Sequence, residues 1–187
     1  PAEQLAHDPK AMAIGERLFA NNCAGCHGSD AKGSKGFPNL TDSDWLYGGA
    51  PETIVETITK GRNGVMPAMG AAVGGPEDVR NLANYVLSLS GSAHNSIAAQ
   101  LGKSKFSACA ACHGVNGGGN PALGAPNLRD KIWLHGWGED AVIAMINKGK
   151  NNQMPAHGTR LNPEQIELLA VYVWSLSQNT TVASHGQ

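Results

Sequence analysis

The sequence predicts an all-α fold made of two tandem domains. Apolar residues recur at helical spacing along most of the chain, and no alternating strand pattern of useful length occurs. The second half of the chain repeats the first, motif by motif. A chain of 187 residues has room for two such domains of roughly 85 residues each.

Composition excludes several classes of protein. The formal net charge of −1 argues against a general nucleic-acid binder, and 41% hydrophobic residues are too many for a disordered chain. The sequence contains no run of about 18 apolar residues, so it predicts no membrane-spanning helix. No signal peptide is visible either.

The first helix of each repeat is predicted just before a cysteine pair, over residues 11–22 and 97–108. Each helix carries a glycine four residues before a phenylalanine, Gly15 in the first and Gly102 in the second. A glycine one turn from an aromatic residue favours a close crossing with another helix.

The middle helix of each repeat is predicted over residues 52–60 and 139–148. Both segments are amphipathic, and each ends at a glycine, Gly61 or Gly149. Glycine after the last helical turn is the usual C-terminal cap.

The last helix of each repeat is predicted to begin near Pro76 and Pro163. The second has a complete start signal, with Asn162 as N-cap and Gln165 in a capping box. Each helix carries one apolar stripe at helical spacing.

The identities between the repeats predict the domain boundaries. Pro-Asn-Leu occurs at residues 38–40 and again at 126–128, and Met-Pro-Ala occurs at 66–68 and 154–156. We expect a first domain over residues 1–91, a linker over 92–96, and a second domain over 97–187 that ends in a short tail.

The four cysteines predict covalent haem attachment. They form two copies of Cys-x-x-Cys-His, with Cys23 and Cys26 in the first copy and Cys109 and Cys112 in the second. This motif is typical of c-type haem attachment, in which both thiols add to haem vinyl groups. A thioredoxin-like pair needs a βαβ setting, and a zinc site needs four closing ligands, so both are disfavoured. The chain is therefore predicted to hold two haem c groups.

The adjacent histidines, His27 and His113, are placed to ligate the irons. Met66 and Met154 are the predicted sixth ligands, because both lie in Gly-x-Asn-x-x-Met-Pro, 39 and 41 residues after the histidines. A Met/His pair raises the reduction potential and leaves no open position on the iron. Two alternatives stay open: Met69 follows Met66 by three residues, and His157 occupies the equivalent place after Met154.

Proline and tryptophan residues are predicted to surround the haem ligands. Pro38 and Pro126 are candidate acceptors for the second ring nitrogen of each ligand histidine. Trp45 and Trp133 are candidates to lie against the haem with the indole N–H on a propionate, although plain core packing is an equal alternative.

Together these motifs resemble class I cytochrome c, twice over. The segments Lys-Gly-Phe-Pro-Asn-Leu-Thr-Asp-Ser-Asp-Trp-Leu-Tyr-Gly-Gly at 35–49 and Leu-Gly-Ala-Pro-Asn-Leu-Arg-Asp-Lys-Ile-Trp-Leu-His-Gly at 123–136 resemble the dihaem cytochrome c subunit of cbb3-type oxidases. The resemblance implies electron transfer from a donor cytochrome c towards the catalytic oxidase subunits, on the periplasmic side of the bacterial inner membrane. It also implies membrane attachment through an N-terminal helix that these residues lack. His135 stands where that family usually has an aromatic residue.

Two other functions remain as alternatives. A free soluble dihaem carrier has the same motifs, and a dihaem peroxidase-like enzyme needs an iron with an open or displaceable ligand. The two intact Met-Pro loops argue against an enzyme, so the chain is expected to transfer electrons and to catalyse no reaction itself.

Charge divides unevenly between the halves of the chain. Residues 1–91 carry seven Lys or Arg and ten Asp or Glu, which gives −3, whereas residues 92–187 carry seven and five, which gives +2. Because complementary potentials steer electron carriers together, the acidic first half is expected to meet a basic donor.

Overall fold

The computed structural model describes residues 2–183, with side chains described up to residue 178. It divides into two compact units. The first unit joins the chain up to Arg62 to the chain from Gln153 onward, and the second unit is Asn63–Asn152. Each unit therefore combines segments from both sequence repeats.

The first unit is helical. Its helices are α1 (Ala2–Ala6), α2 (Pro9–Asn22), α3 (Ala24–His27), α4 (Pro51–Lys60) and α10 (Pro163–Ala183). Helix α2 begins where Asp8 accepts a hydrogen bond from the amide of Lys10 at 2.8 Å. The capping box of α10 is confirmed, because the amide of Gln165 lies 2.9 Å from Oδ1 of Asn162 and the amide of Asn162 lies 3.0 Å from Oε1 of Gln165.

The second unit has the corresponding helices. They are α5 (Gly70–Val73), α6 (Pro76–Leu89), α7 (Ser96–Gly102), a 3₁₀ helix (Lys103–Ala108), α8 (Ala110–His113) and α9 (Glu139–Lys148). The single helix predicted over 97–108 is thus an α-helix followed by a 3₁₀ helix.

The expectation of an all-α fold is corrected by a small sheet. Strands β1 (Arg62–Met66) and β2 (Lys150–Met154) are hydrogen-bonded to each other. Their sequences, Arg-Asn-Gly-Val-Met and Lys-Asn-Asn-Gln-Met, contain asparagine and glycine, which are depleted in strands, so local preference did not reveal them. Tertiary pairing overrides that preference, and the fold is mostly helical with one short sheet.

Each unit has its own apolar core. In the first unit, Phe19 of α2 packs with residues of α4 and α10, including the fully buried Leu169. In the second, Phe106 packs with residues of α6 and α9, including the fully buried Leu82. The predicted apolar stripes face these two cores.

The predicted close helix crossings occur at both glycines. A Cβ on Gly15 would lie 2.6 Å from Cβ of Tyr172 on α10, and a Cβ on Gly102 would lie 2.6 Å from the amide nitrogen of Leu82 on α6. Helix α2 therefore crosses the last helix of the second repeat, whereas α7 crosses the last helix of the first repeat.

The compact units divide the chain after Arg62 and after Asn152, whereas the sequence repeats divide it at 91 and 97. Residues 92–96, predicted as a linker, form a turn between α6 and α7 inside the second unit. Ser92 is buried, with its hydroxyl 2.7 Å from that of Ser90. A short polar segment satisfies its backbone here by local hydrogen bonds, so its composition does not distinguish a turn from a linker. The predicted tail beyond residue 183 lies outside the described residues.

Candidate functional site

The two Cys-x-x-Cys-His motifs lie on short helices, one in each unit. Cys23 and Cys109 are half-buried, whereas Cys26 and Cys112 are exposed, and all four are free thiols. Burial, followed by the neighbouring Cys26, raises the pKa of Cys23 to about 11. Burial also raises the pKa of Cys109. Both buried sulfurs therefore keep their protons at neutral pH, and an S–H group is what adds across a vinyl double bond.

The histidine of each motif is held by a proline carbonyl. Nδ1 of His27 lies 3.0 Å from the oxygen of Pro38, and Nδ1 of His113 lies 3.0 Å from the oxygen of Pro126. Because a carbonyl oxygen only accepts, the ring nitrogen donates, and this tautomer leaves Nε2 with its lone pair free. A histidine that binds a metal through one nitrogen normally has its other N–H engaged in this way.

Local backbone bonds place the proline beside the histidine. The amide of Gly33 donates to the oxygen of His27 at 2.7 Å, and the amide of Leu40 donates to the oxygen of Ala31 at 2.8 Å. Oδ1 of Asn39 accepts from the amide of Thr41 at 2.8 Å and closes a local turn. Each residue of Pro-Asn-Leu thus has a role: the proline accepts, the asparagine turns the chain, and the leucine packs on the core.

The second unit repeats this arrangement. The amide of Gly119 donates to the oxygen of His113 at 2.8 Å, and that of Leu128 donates to the oxygen of Gly117 at 2.7 Å. Oδ1 of Asn127 accepts from the amide of Arg129 at 3.0 Å. The two histidine sites therefore have the same backbone frame.

The predicted tryptophans lie in the cores that carry these motifs. Trp45 packs on the first core, where the backbone of Gly49 lies so close that a Cβ would be 2.6 Å from the indole nitrogen. Trp133 packs on the second core, and its Nε1 is buried with no hydrogen-bond partner among the described residues. A buried donor without an acceptor costs about 1–3 kcal/mol, so Trp133 marks a place where an acceptor is missing.

Each methionine of the Met-Pro loops lies in the compact unit that holds the ligand histidine of the other repeat. Met154 packs on the core of the first unit, together with Cys23 and Trp45. Met66 is half-buried and belongs to the second unit, with His113. Sequence order pairs Met66 with His27, whereas the structure groups Met154 with His27, because β1 and β2 carry the chain from one unit to the other.

The two methionine loops have equivalent backbone positions in their units. The backbone of Gly61 lies against Met154 and Ala156, and the backbone of Gly149 lies against Met66 and Ala68. Both glycines have positive φ, and a Cβ at either one would collide with the loop backbone. The glycine after each middle helix thus ends that helix and also makes room for the Met-Pro segment.

The two alternative ligands, Met69 and His157, are also equivalent to each other. The amide of Met69 donates to the oxygen of Ile146 at 2.8 Å, and the amide of His157 donates to the oxygen of Ile58 at 2.9 Å. His157 is 7% exposed, and its Nδ1 is buried with no partner in the described chain. Burial, followed by the charge of Arg160, lowers the pKa of His157, which favours the neutral ring.

Arg62, which follows the first middle helix and precedes the first Met-Pro loop in sequence, is mostly buried. Its guanidinium carbon lies 4.6 Å from the centre of the Tyr47 ring, and its Nε donates to the hydroxyl of Thr57 at 2.9 Å. It also pairs with Glu56 at 3.5 Å, and its side chain is 22% exposed. The tyrosine before Gly48 was the available signal, since an aromatic face attracts a guanidinium.

A c-type haem fits this set of donors. Each unit offers two free thiols for the vinyl groups and an imidazole whose Nε2 is available for iron. The buried indole N–H of Trp133 lacks an acceptor that a haem carboxylate would supply. Among the described residues, no cluster of three or more His, Cys, Asp or Glu side chains suggests another metal site.

Comparison with known proteins identifies the family. The family described as cytochrome c oxidase, cbb3-type, subunit III matches residues 10–86 and 98–173. The cbb3-type cytochrome c oxidase subunit CcoP of Rubrivivax gelatinosus is 67% identical over 98% of this chain and 60% of its own length. Subunit FixP of Azorhizobium caulinodans is 43% identical over 94% of the chain and 64% of its own length. Subunit CcoP of Cereibacter sphaeroides is 38% identical over 92% and 64%.

The chain thus spans about three fifths of the length of these relatives. No helix in the described residues is long and apolar enough to cross a membrane. The matched segments contain both Cys-x-x-Cys-His motifs, both Pro-Asn-Leu segments and both Met-Pro loops. This chain belongs to the subunit III family of cbb3-type cytochrome c oxidases.

Proposed function

We propose that this chain transfers electrons through two covalently bound haem c groups. It would do so as the dihaem part of a cbb3-type oxidase, on the periplasmic side of the bacterial inner membrane. The observation that carries the proposal is that each compact unit holds one complete set of groups: two thiols, a histidine fixed by a proline carbonyl, and a Met-Pro loop. The family supports an oxidase subunit over a free carrier.

In this proposal the axial ligands are exchanged between the repeats. His27 and Met154 ligate one iron, and His113 and Met66 ligate the other. Support comes from the division of the chain, which groups each histidine with the methionine of the other repeat. The packing of Met154 on the same core as Cys23 supports the first pair, and the equivalent positions of the two loops against Gly61 and Gly149 support the second.

Each residue then has a defined part in the chemistry. A haem iron with one imidazole and one thioether ligand exchanges single electrons between its ferrous and ferric states. The thioether of Met154 or Met66 would hold the iron at the position that an oxygen-binding or peroxide-binding haem protein leaves open. The carbonyls of Pro38 and Pro126 hold the imidazoles, so the ligand sphere changes little when the charge on iron changes. Trp133 is proposed to donate its N–H to a haem carboxylate.

The exchange of ligands is tested in chains that retain one haem. Cys109→Ala with Cys112→Ala leaves only the haem attached beside His27. In that background we expect Met154→Ala to convert the remaining haem to a high-spin form that binds carbon monoxide, because its sixth ligand is lost. Met66→Ala is the matched control and should leave the low-spin spectrum unchanged.

The mirror background, Cys23→Ala with Cys26→Ala, should give the opposite pattern. Ligation within each repeat requires Met66→Ala to act in the first background and Met154→Ala in the second, so that result would refute the exchange. If Met69→Ala changes the second haem while Met66→Ala does not, Met69 is its ligand. Absence of covalent haem from the unmodified chain would refute the proposed function itself.

We further propose that a basic donor cytochrome c meets the first unit. The first unit carries seven Lys or Arg and ten Asp or Glu, whereas the second carries seven and five, so the charges of −3 and +2 found for the halves of the sequence also hold for the compact units. An acidic surface raises the association rate with a basic partner by long-range attraction.

Stopped-flow reduction by a basic cytochrome c tests this orientation. The rate should fall as ionic strength rises from 0.01 to 0.15 M, because the Debye length shrinks from about 30 to about 8 Å. Neutralising four acidic residues of the first unit together should flatten the salt dependence; they are Asp42, Asp44, Glu52 and Glu56. A rate that ignores salt, or faster reduction of the haem beside His113, would contradict the assignment.

A further inference from the structure

Exposed large apolar side chains are concentrated in the second unit. In the part of the chain that the structure describes, the first unit exposes two of them, Ile14 and Phe37, both near 40%. The second unit exposes seven: Val65, Ile97, Leu101, Val115, Leu123, Ile132 and Trp137. Single exposed apolar residues need no explanation, but their concentration in one of two homologous units does.

One of these residues, Val115, lines a groove, and two others, Ile97 and Leu101, belong to helix α7, which supplies part of the same lining. The groove has a volume of about 680 Å³ and is lined by parts of α6, α7, the 3₁₀ helix and α8, with Gln100, Lys103, Ser104 and Val115 among its lining residues. Positions 97, 100 and 101 follow helical spacing within α7, so Ile97 and Leu101 stand on the same side of that helix as Gln100. We call Ile97, Gln100, Leu101, Lys103, Ser104 and Val115 the α7 surface.

The α7 surface adjoins the second haem-attachment motif. Ala110, which lies between Cys109 and Cys112, lines the groove, and Val115 follows His113 by two residues. Val115 is 86% exposed. A protein seated on this surface would contact the chain beside the proposed haem.

The α7 surface carries a positive charge and no negative one. Residues 81–128 contain no Asp or Glu, and their only cations are Lys103 and Lys105. Lys105 pairs with Asp78 at 3.1 Å, whereas Lys103 is exposed at the groove. None of the side chains that line the groove is a carboxylate.

The first repeat carries different residues at the equivalent positions. Ile97 corresponds to Lys10, Lys103 to Glu16 and Val115 to Ser29. Both units cross this helix closely with their last helix, at Gly15 in the first unit and at Gly102 in the second. The apolar and basic character therefore belongs to the second unit and is not required by the fold.

We propose that the α7 surface is a permanent interface with another subunit of the same oxidase, one that presents an apolar patch with acidic groups at its edge. The inference rests on the proposed function. Permanent subunit interfaces are more apolar than the surface at large, whereas transient electron-transfer complexes are small and steered by charge. The exposed apolar surface of the second unit is typical of a permanent interface, whereas the acidic first unit is typical of a transient complex. Electrons would therefore enter at the first unit and leave at the second.

Site-specific photo-cross-linking in the assembled oxidase tests the interface. A photoreactive amino acid is placed at Val115 in one strain and at Ser29, its counterpart in the first unit, in another. Both positions are on the surface, follow a Cys-x-x-Cys-His motif by two residues, and leave the ligands intact. We expect the Val115 probe to yield a product with another oxidase subunit, identified by mass spectrometry, and the Ser29 probe to yield none with that subunit.

Other outcomes overturn the inference. A Val115 probe that gives no product, or a product only with a donor cytochrome, shows that no subunit covers this surface. Equal products from Val115 and Ser29 with the same subunit show that the second unit is not distinguished. Haem content and reducibility of the same preparations separate this failure from failure of the proposed function, which predicts two reducible haems in every case.

A double variant gives an independent measurement. Ile97→Lys with Leu101→Lys places two charges on the exposed side of α7, and the matched control, Ile14→Lys, changes the residue equivalent to Leu101 in the first unit. We expect the double variant to reduce copurification of this chain with the oxidase at least tenfold, with its visible spectrum unchanged, and the control to copurify normally. Normal copurification of a spectrally intact double variant would overturn the inference.

Discussion

Asn84 is the most informative position for testing how the second unit is held together. This α6 residue is 1% exposed, and its Nδ2 donates to Oε2 of Glu139 at 2.8 Å. Its Oδ1 accepts from the amide of Asn95 at 2.7 Å, and Asn95 is the N-cap of α7. One buried amide thus ties α6 to the start of α7 and the start of α9. The equivalent residue in the first unit is Val171, which is also buried.

The variant Asn84→Val replaces this amide by the side chain that the fold accepts at the equivalent position. The bond to Glu139 involves a charged group, but the Glu139 side chain is 41% exposed, so we count about 1 kcal/mol for it. The amide of Asn95 lies at an exposed residue that water partly reaches, which gives about 1 kcal/mol more. Burying an apolar group in place of the amide returns about 0.5 kcal/mol. The expected loss is about 1.5 kcal/mol, or about 6–12 °C in the melting temperature of a unit of this size.

Denaturant unfolding followed by circular dichroism measures the free energy, and amide hydrogen exchange locates the change. We expect faster exchange at Ile97 and Ala98, whose amides Asn95 caps, and unchanged exchange in α2, the equivalent helix of the first unit. Glu139→Gln keeps an acceptor oxygen and should cost less than about 0.5 kcal/mol. If Asn84→Val changes neither stability nor exchange in α7, the buried amide does not hold these helices together.

Three further predictions concern packing, pH and ligation. Gly102→Ala should destabilise the second unit by about 1–3 kcal/mol or prevent its folding, since the new Cβ meets backbone atoms of α6 that have little room to shift. Calorimetry that finds the stability of the parent chain would contradict the close crossing. The hydrogen bond from Lys105 lowers the pKa of Asp78 in the folded state, so the resulting stability is present above the ordinary aspartate pKa and is lost as the pH falls through the lowered value. A ¹³C NMR titration should show that pKa rising in Lys105→Gln, and an unchanged value would show that the pair has no effect in solution. His157→Ala should leave both haems low-spin, because Met154 is the proposed ligand in that unit, and a high-spin haem would instead favour bis-histidine ligation.

Local signals in the sequence were sufficient to predict much of each helix. The N-cap at Asn162 and the glycine caps at Gly61 and Gly149 depend only on neighbouring residues, and the structure has all three. The family resemblance is confirmed as well, because its motifs carry specific chemistry. The spacing from each histidine to its proline likewise singled out Pro38 and Pro126, which the structure places 3.0 Å from the ring nitrogens.

The sequence alone does not predict which segments group into one compact unit. Helix α2 meets α10 through Gly15 and through Phe19, whose ring lies 5.7 Å from that of Tyr172. Helix α7 meets α6 through Gly102, and the Phe106 ring lies 5.3 Å from that of Tyr85. Because both repeats carry the same residues at these contacts, either last helix fits either first helix, and the pattern alone leaves the choice undetermined.

The buried Asn84 illustrates a different limit. It follows two residues of the apolar stripe of α6, and nothing in the neighbouring sequence indicates its partners. Glu139 is 55 residues away in the chain, so only the folded structure brings the two together. The difference from Val171 was visible in the aligned repeats and was the one signal that marked this position.

Each compact unit of this protein combines segments of both repeats, so a unit does not correspond to one sequence repeat. The repeat of residues 1–91 contains His27 and the helix α6, but α6 packs on α7, α9 and Phe106, all of which come later in the chain. The core of the first unit needs Leu161, Ile166 and Leu169, which also come later. Neither repeat therefore contains a complete apolar core, and under the proposed ligation neither contains both ligands of one iron. Under the proposed ligation each haem site would need segments from both repeats, so a change in either Met-Pro loop would act on the haem that the other repeat attaches.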